Sequence, residues 1–350
     1  MRPAVIRSVL LAAAAMAVLA AAACMIHFFH VSPAGMPQTV VVYTSLDQDM
    51  SEPILRRFEE RTGVRVLPVY DAEAAKTTTL VNRLISRRDN PDCDVLWNSE
   101  VVQTQHLAEM DLLEPYTSPQ AARIPPQFRD PNARWTGFAA RARVVVYNTT
   151  LVSRADAPTS IADFADPKWR GRAVIARPFF GSTLTHMAAL YQLWGAQRLG
   201  DFLQRLRDND VAICPGNAAV RDMVATGERA IGVTDTDDAF RAIDEGKPLA
   251  LAPWGDANAV IFFPNAVSII RGCPHPSAAR QLVDFLLSAE VEEMLAKPPG
   301  TMIPVAADLA QCPTPWRGKL PAPAMNFDVP RAAHSLPAVR DLLQQKGMDR

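Results

Sequence analysis

The chain has 350 residues, 49% of them apolar and 21% charged, which is the composition of a globular body and excludes a disordered one. Its 36 basic and 37 acidic residues nearly cancel, so no net field calls for nucleic acid or another polyanion and electrostatics must act locally. This length exceeds what one small core holds, and two lobes are expected.

Residues 1–29 differ in kind from the rest. Arg2 and Arg7 precede Val9 to Phe29, a run of 21 residues interrupted only by His27. Basic residues ahead of an apolar stretch give the orientation of an export signal, with the remainder of the chain beyond the membrane. Three fates fit the segment. Ala21-Ala22-Ala23-Cys24 is similar to the bacterial lipoprotein signal, with Ala21 where Leu is usual, and would make Cys24 the lipidated N-terminus. At about 1.5 Å per residue, the run also spans the roughly 30 Å hydrocarbon layer as a retained anchor. Cleavage near Ala23 would instead release the protein. Each fate puts the folded part in a bacterial periplasm or on the outer face of the cytoplasmic membrane. Residues 30–38, with Pro33, Gly35 and Pro37, read as a linker.

Beyond the linker, apolar runs alternate with amphipathic segments. A strand over 40–43 leads to a helix near 51–62 with Ile54, Leu55 and Phe58 on one face, closed by Gly63. A strand over 64–70, a helix carrying Leu80, Val81, Leu84 and Ile85, a strand over 93–97 and a helix over 101–110 follow. This βαβα order implies a mostly parallel sheet. A long strand is expected over Arg141–Asn148. A second series then runs through strand 173–176, a helix to about Trp194, helix 200–208, a strand near 211–214, helix 218–226 and strand 230–234. Ala259 to Val267 can carry the chain back to the first half. Pro313 to Pro330 is Pro-rich and expected to be irregular, ahead of a terminal helix over Val339–Gln345.

Cys93 and Cys214 have apolar neighbours and read as small buried hydrophobes, whereas Cys273 and Cys312, in Pro-rich loops, are candidates for a disulfide in an oxidising compartment. No CxxC spacing exists, and GxGxxG, GxxxxGK, GxSxG and HExxH elements are all missing from the sequence. A buried hydrolytic site built from Asp235, His186 and Ser182 is compatible with the composition, and catalysis is not expected.

Polar clusters sit directly after the strands, where an open α/β sheet gathers its loops into one crevice. Ser45 and Asp47 follow the first strand, and either face a ligand or cap the next helix. Lys76, Thr77 and Thr78 open the second helix as a possible phosphate-facing edge. Asn98, Ser99 and Glu100 follow the third strand; Glu100 either ligates a cation or caps the following helix. Trp97 is lobe core or a floor for an apolar ligand part. Arg141 and Arg143, two apart, share one face of the crossing strand, where a guanidinium either forks onto an anion or pairs with acids such as Asp235. Gly181, Ser182 and Thr183 precede a helix whose positive end points to the cleft, with His186 one turn beyond. Gly216 and Asn217 stand before another helix. Thr234-Asp235-Thr236-Asp237-Asp238 places three carboxylates within four residues, which is costly in a cleft unless a cation, a donor-rich ligand or an arginine is present.

Several of these segments carry a further pattern. Val42-Tyr43-Thr44-Ser45-Leu46-Asp47-Gln48, Tyr70-Asp71 through Lys76-Thr77-Thr78, Asp94 to Glu100, Gly137 to Arg143, Asp166-Pro167-Lys168-Trp169-Arg170-Gly171, Thr234 to Asp238 and Pro274 to Leu287 resemble the extracellular solute-binding proteins of bacterial ABC importers. The match is to the branch that contains the ferric-ion-binding periplasmic proteins. The resemblance implies an α/β, periplasmic-binding-protein-like fold of type II, with two lobes joined by a two-strand hinge. Lobe 1 would comprise 39–142 and 262–304, and lobe 2 would comprise 143–261 and 305–350. It implies a monomeric binding component that captures a small polar solute or metal ion and delivers it to a permease powered by a separate ATPase. The cargo would be ferric iron or another hard cation, with Asp47, Glu100, Asp235, Asp237 and Asp238 as oxygen donors. The alternative is a phosphorylated, phosphonate or other small organic solute. No resident cofactor is implied beyond a metal ion as cargo. Iron-binding members hold the metal with two adjacent tyrosines, and the matching positions here are Asp237 and Asp238.

Overall fold

The run Thr39–Thr44 is rich in β-branched residues and forms β1, a strand with a parallel neighbour on each side. These neighbours are β2 (Arg65–Tyr70) and β3 (Val95–Asn98), reached through α1 (Gln48–Thr62) and α2 (Thr78–Ser86). The computed structural model describes residues 38–71, 77–253, 260–312 and 326–349. After β3 come α3 (Val102–Glu109), the short β4 (Leu113–Glu114) and the long β5 (Thr136–Asn148). The second series is β6 (Ala173–Ala176), α4 (Gly181–Asp208), β7 (Ala212–Cys214), α5 (Asn217–Ala225), β8 (Ile231–Asp235), α6 (Thr236–Asp244) and β9 (Leu249–Leu251). Then β10 (Ile261–Ile270), α7 (Pro276–Leu286), α8 (Ala289–Ala296) and α9 (Val329–Gln345) complete the described elements. Helix α4 breaks at Gly195, whose φ of 80° and ψ of 164° are open to glycine and strained for other residues.

The sheet runs β2-β1-β3-β10-β5-β8-β6-β7. The same motif occurs twice: β1 lies between β2 and β3 with antiparallel β10 beside β3, and β6 lies between β7 and β8 with antiparallel β5 beside β8. This is the α/β arrangement of type II expected from the sequence. The chain passes between the two series along β5 and β10, which pair with each other.

That pair is bent. Its register shifts between Pro264 and Asn265, and Ala139 opposite has a φ of 42°. Asn265 Nδ2 donates to the Ala139 carbonyl at 2.6 Å. The buried Glu292 of α8 accepts from the backbone N–H groups of Ala139, Val305 and Ala306 at 2.8, 2.9 and 3.1 Å. Burial raises the Glu292 carboxyl pKa, against the pull of those three donors.

Apolar side chains gather in three clusters. One underlies β1, α1 and α7; a second lies on β5, β6, α5 and α6; the third joins α2 and α3 to α4 and α9. Trp97 is fully buried and packs on Phe138 with ring centroids 5.7 Å apart, which makes it core.

Helix α9 corrects the expected C-terminus: it begins ten residues before Val339, where Asp328 accepts from the Arg331 N–H and Pro330 occupies the first turn. It packs against both α3 and α4. No disulfide joins Cys273 to Cys312, while Cys93 and Cys214 are buried. Among the described residues no helix is long and apolar enough to cross a membrane. The readings of residues 1–29, including Cys24, and of Lys76 lie outside the described residues.

Candidate ligand site

Three helices of the second series start at the ends of their preceding strands. Their N-cap residues, Phe180 for α4, Gly216 for α5 and Asp235 for α6, make no side-chain capping bond. Four backbone N–H groups at each helix start have no partner within the helix, and the helix dipole adds partial positive charge there. All three starts border one cavity. Gly181, Ser182 and Thr183, then Gly216, Asn217 and Ala218, then Asp235, Asp237 and Asp238 line it, and Asp47, Ser99 and Arg141 reach it from the first series and β5. Its volume of about 40 Å³ holds a few waters or one small ion at roughly 10–15 Å³ per water.

Arg141 is one of two guanidinium groups on the cavity wall, with Arg177. Nη1 lies 3.4 Å from carboxylate oxygens of both Asp235 and Asp237, Nη2 donates to the Ser99 carbonyl, and the group sits 5.2 Å from the Phe263 ring centre. Burial works against its charge, but Asp237, Asp235, Asp47 and Asp238 outweigh that and raise its pKa.

Arg143 lies behind the wall. Its Nη1 donates to Asp235 Oδ1 at 2.6 Å, Asn217 Oδ1 at 2.8 Å and Ser182 Oγ at 3.3 Å. Nη2 reaches Thr183 Oγ1 and the Val233 carbonyl, both at 3.4 Å, and Nε faces His186 Nδ1 at 3.5 Å. Burial and the Arg143 charge push the His186 pKa down to about 3, so the ring is neutral. Asp235 also accepts from Ser182 Oγ at 2.7 Å and Asn217 Nδ2 at 3.1 Å. Burial tends to raise its carboxyl, and the two arginines overcome this and hold it below the usual carboxylate range.

The three acids of 235–238 therefore meet arginines: Asp235 meets Arg143 and Arg141, Asp237 meets Arg141, and Asp238 lies 3.3 Å from Arg221. Four carboxylates line the cavity with Arg141 and Arg177; Arg143 stands behind Asp235, and Arg221, itself paired with Asp222 at 2.9 Å, stands behind Asp238.

Other expected residues support the site from behind. Ser45 Oγ donates to Asn98 Oδ1 at 2.7 Å and accepts from the Ser99 N–H at 2.8 Å, and Thr77 Oγ1 donates to Asn98 Oδ1 at 3.3 Å. Thr236 Oγ1 accepts from the Ala142 N–H at 3.2 Å. None of Ser45, Thr77, Asn98, Thr236 and Arg143 is on the cavity wall. Glu100 is off the wall too, which corrects its reading as a cation ligand. Its carboxylate caps α3, accepting from Val102 N at 2.8 Å and Gln103 N at 3.0 Å, and takes the Thr185 hydroxyl at 2.5 Å. Burial raises its pKa despite those donors.

Sequence reasoning missed Arg177 and Pro215 on the wall. Arg177 directly follows β6, so the strand-end rule that found the other loops applied to it as well.

Known proteins place this geometry. Residues 94–327 match the family described as bacterial extracellular solute-binding protein. Iron uptake protein A1 of Synechocystis sp. is 24% identical over 283 residues, 75% of each chain. Iron-bound HitA from Pseudomonas aeruginosa superposes with a TM-score of 0.77 at 23% identity, covering 87% of this chain and 99% of that one. AfuA from Actinobacillus pleuropneumoniae, with exogenous fructose-6-phosphate bound, gives a TM-score of 0.77 at 23% identity over 89% of this chain and 99% of its own. A twofold βαβ motif joined by paired strands, with a polar cavity at the strand ends and a family match over most of the chain, leads to one assignment: the protein belongs to the bacterial extracellular solute-binding proteins.

Proposed function

We propose that the cleft captures a small anion of the phosphate, phosphonate or phosphorylated-solute class and delivers it to a membrane permease driven by a separate ATPase. Family membership makes the chain an exported solute-binding component with a non-catalytic transport role. The observation that carries the anion reading is the convergence of three helix starts, none with a side-chain cap, on a cavity that contains Arg141. In this reading, residues 39–142 with 262–304 and residues 143–261 with 305–350 are lobes that turn about β5 and β10. The bend at Ala139 and Asn265 is where the turn occurs. Binding of solute by both lobes favours the closed form.

A second reading takes ferric iron or another hard cation as the cargo. The names of Iron uptake protein A1 and iron-bound HitA favour it, as do Asp47, Asp237 and Asp238 on the cavity wall. None of the five tyrosines is on that wall, and among the described residues no three His, Cys, Asp or Glu side chains gather into a metal-holding group.

Calorimetric titration with inorganic phosphate, methylphosphonate, fructose 6-phosphate and ferric citrate separates the two. Arg141→Gln is expected to weaken anion binding by at least about tenfold, while Asp237→Asn/Asp238→Asn leaves it within about threefold. The opposite ranking, with ferric citrate as the tight ligand, supports the cation.

A further inference from the structure

We propose that Arg143 sets the sign of charge the cleft selects, acting through Asp235 without touching the solute. It is a positioning and specificity-determining residue that rests on the anion reading above. Arg143 and Asp235 are each 1% exposed at the side chain, and their 2.6 Å ion pair has no solvent to replace either partner. The one guanidinium also holds Ser182 and Thr183 at the start of α4, Asn217 at the start of α5, and the residue that precedes α6. It therefore fixes the relative positions of the helix starts that give the cavity its positive field.

The same contacts make it a charge lock. Asp235 is on the cavity wall and Arg143 is not, so the negative member of the pair faces the solute and the positive member neutralises it from behind. Without Arg143, the Asp235 carboxylate would keep Arg141 at 3.4 Å as its ion-pair partner, and four wall carboxylates would face the two wall arginines, Arg141 and Arg177. The wall would then be acidic and cation-seeking. Removing Asp235 instead leaves the arginine uncancelled and makes the wall more basic.

The two ends of one ion pair should thus have opposite effects, which a purely structural role does not produce. The test uses the full chain and its Asp235→Asn, Arg143→Gln and double variants, titrated by calorimetry with inorganic phosphate and with Mn²⁺. Asp235→Asn is expected to tighten phosphate about three- to tenfold and to bind no Mn²⁺. Arg143→Gln should weaken phosphate by at least about tenfold and acquire Mn²⁺ binding, and the double variant should lose the Mn²⁺ and recover phosphate affinity to within about threefold of the parent. Weakened phosphate binding in both single variants, with no Mn²⁺ gained by Arg143→Gln, overturns the proposal. If the parent takes no phosphate, the anion reading fails, and the Mn²⁺ gain and its loss in the double variant still decide the role of Arg143. If Arg143→Gln does not fold, Asp235→Asn decides: tighter phosphate supports the charge lock, and unchanged or weaker phosphate rejects it.

Discussion

The Thr185 hydroxyl donates to Glu100 Oε2 at 2.5 Å, and this bond ties the loop after β3 to the first turns of α4. Both residues are fully buried, so the bond joins the two strand series where water does not compete. Thr185→Val leaves the carboxylate short of one donor and is expected to cost about 1–3 kcal/mol, with Thr185→Ser restoring most of it. Urea unfolding of the three proteins measures this, and an unchanged midpoint for Thr185→Val would contradict the contact.

Glu100 also predicts a pH dependence. Burial raises its folded pKa above the reference value of 4.5, so the native state holds the proton more tightly than the unfolded chain. Its contribution to stability is complete below 4.5 and is lost as pH rises through the folded pKa. Glu100→Gln removes this slope. Urea titrations from acidic to neutral pH should show the variant gaining on the parent as pH rises; a constant difference would refute the assignment.

Gly232 lies in β8, the strand that delivers Asp235. A methyl group there would meet Val220 Cγ1 at 2.6 Å, Val224 Cγ2 at 3.0 Å and Val174 Cγ1 at 3.2 Å. Gly232→Ala is expected to destabilise the protein by about 1–3 kcal/mol through overpacking. A calorimetric scan would register this as a lower Tm, and an unchanged Tm would mean that the interface has slack.

At the surface, Arg241 of α6 reaches Asp49 of α1 at 3.1 Å, again joining the two series. With side chains 28% and 52% exposed, the pair contributes under about 1 kcal/mol to stability. Its expected effect is kinetic: Arg241→Ala should leave Tm nearly unchanged and release bound solute about two- to fivefold faster, a difference that salt abolishes. Stopped-flow release at low and high salt checks it, and equal rates at low salt would show that the pair does not restrain opening.

Much of this architecture is legible in the sequence because strand and helix periods differ and the loops are polar. The alternation from β1 to α3 and from β6 to β8 follows directly from that pattern, whereas the helix α6 is not read from it. The strand-end loops bring Asp47, Ser99, Ser182, Asn217 and Asp237 to one cavity as expected. What periodicity cannot say is which of two same-face groups reaches solvent. Arg141 and Arg143 are equivalent by spacing, and only the packing of Ser182, Asn217 and His186 around Arg143 separates wall from support. Glu100 was open to two readings because a helix start and a cation ask for the same carboxylate; the N–H groups of Val102 and Gln103 decide it. The early start of α9 is set by Asp328 and by burial of Val329, Ala332 and Ala333, tertiary effects that the Pro-rich composition conceals.

The central claim is that the cleft holds an anion. Native mass spectrometry and metal analysis of protein purified without chelator test it most directly, because cargo held between lobes travels with the protein. The account predicts a bound species whose mass is that of a phosphate, phosphonate or phosphorylated solute, lost in Arg141→Gln, with no stoichiometric metal. A stoichiometric metal ion retained in Arg141→Gln and lost in Asp237→Asn/Asp238→Asn would contradict it.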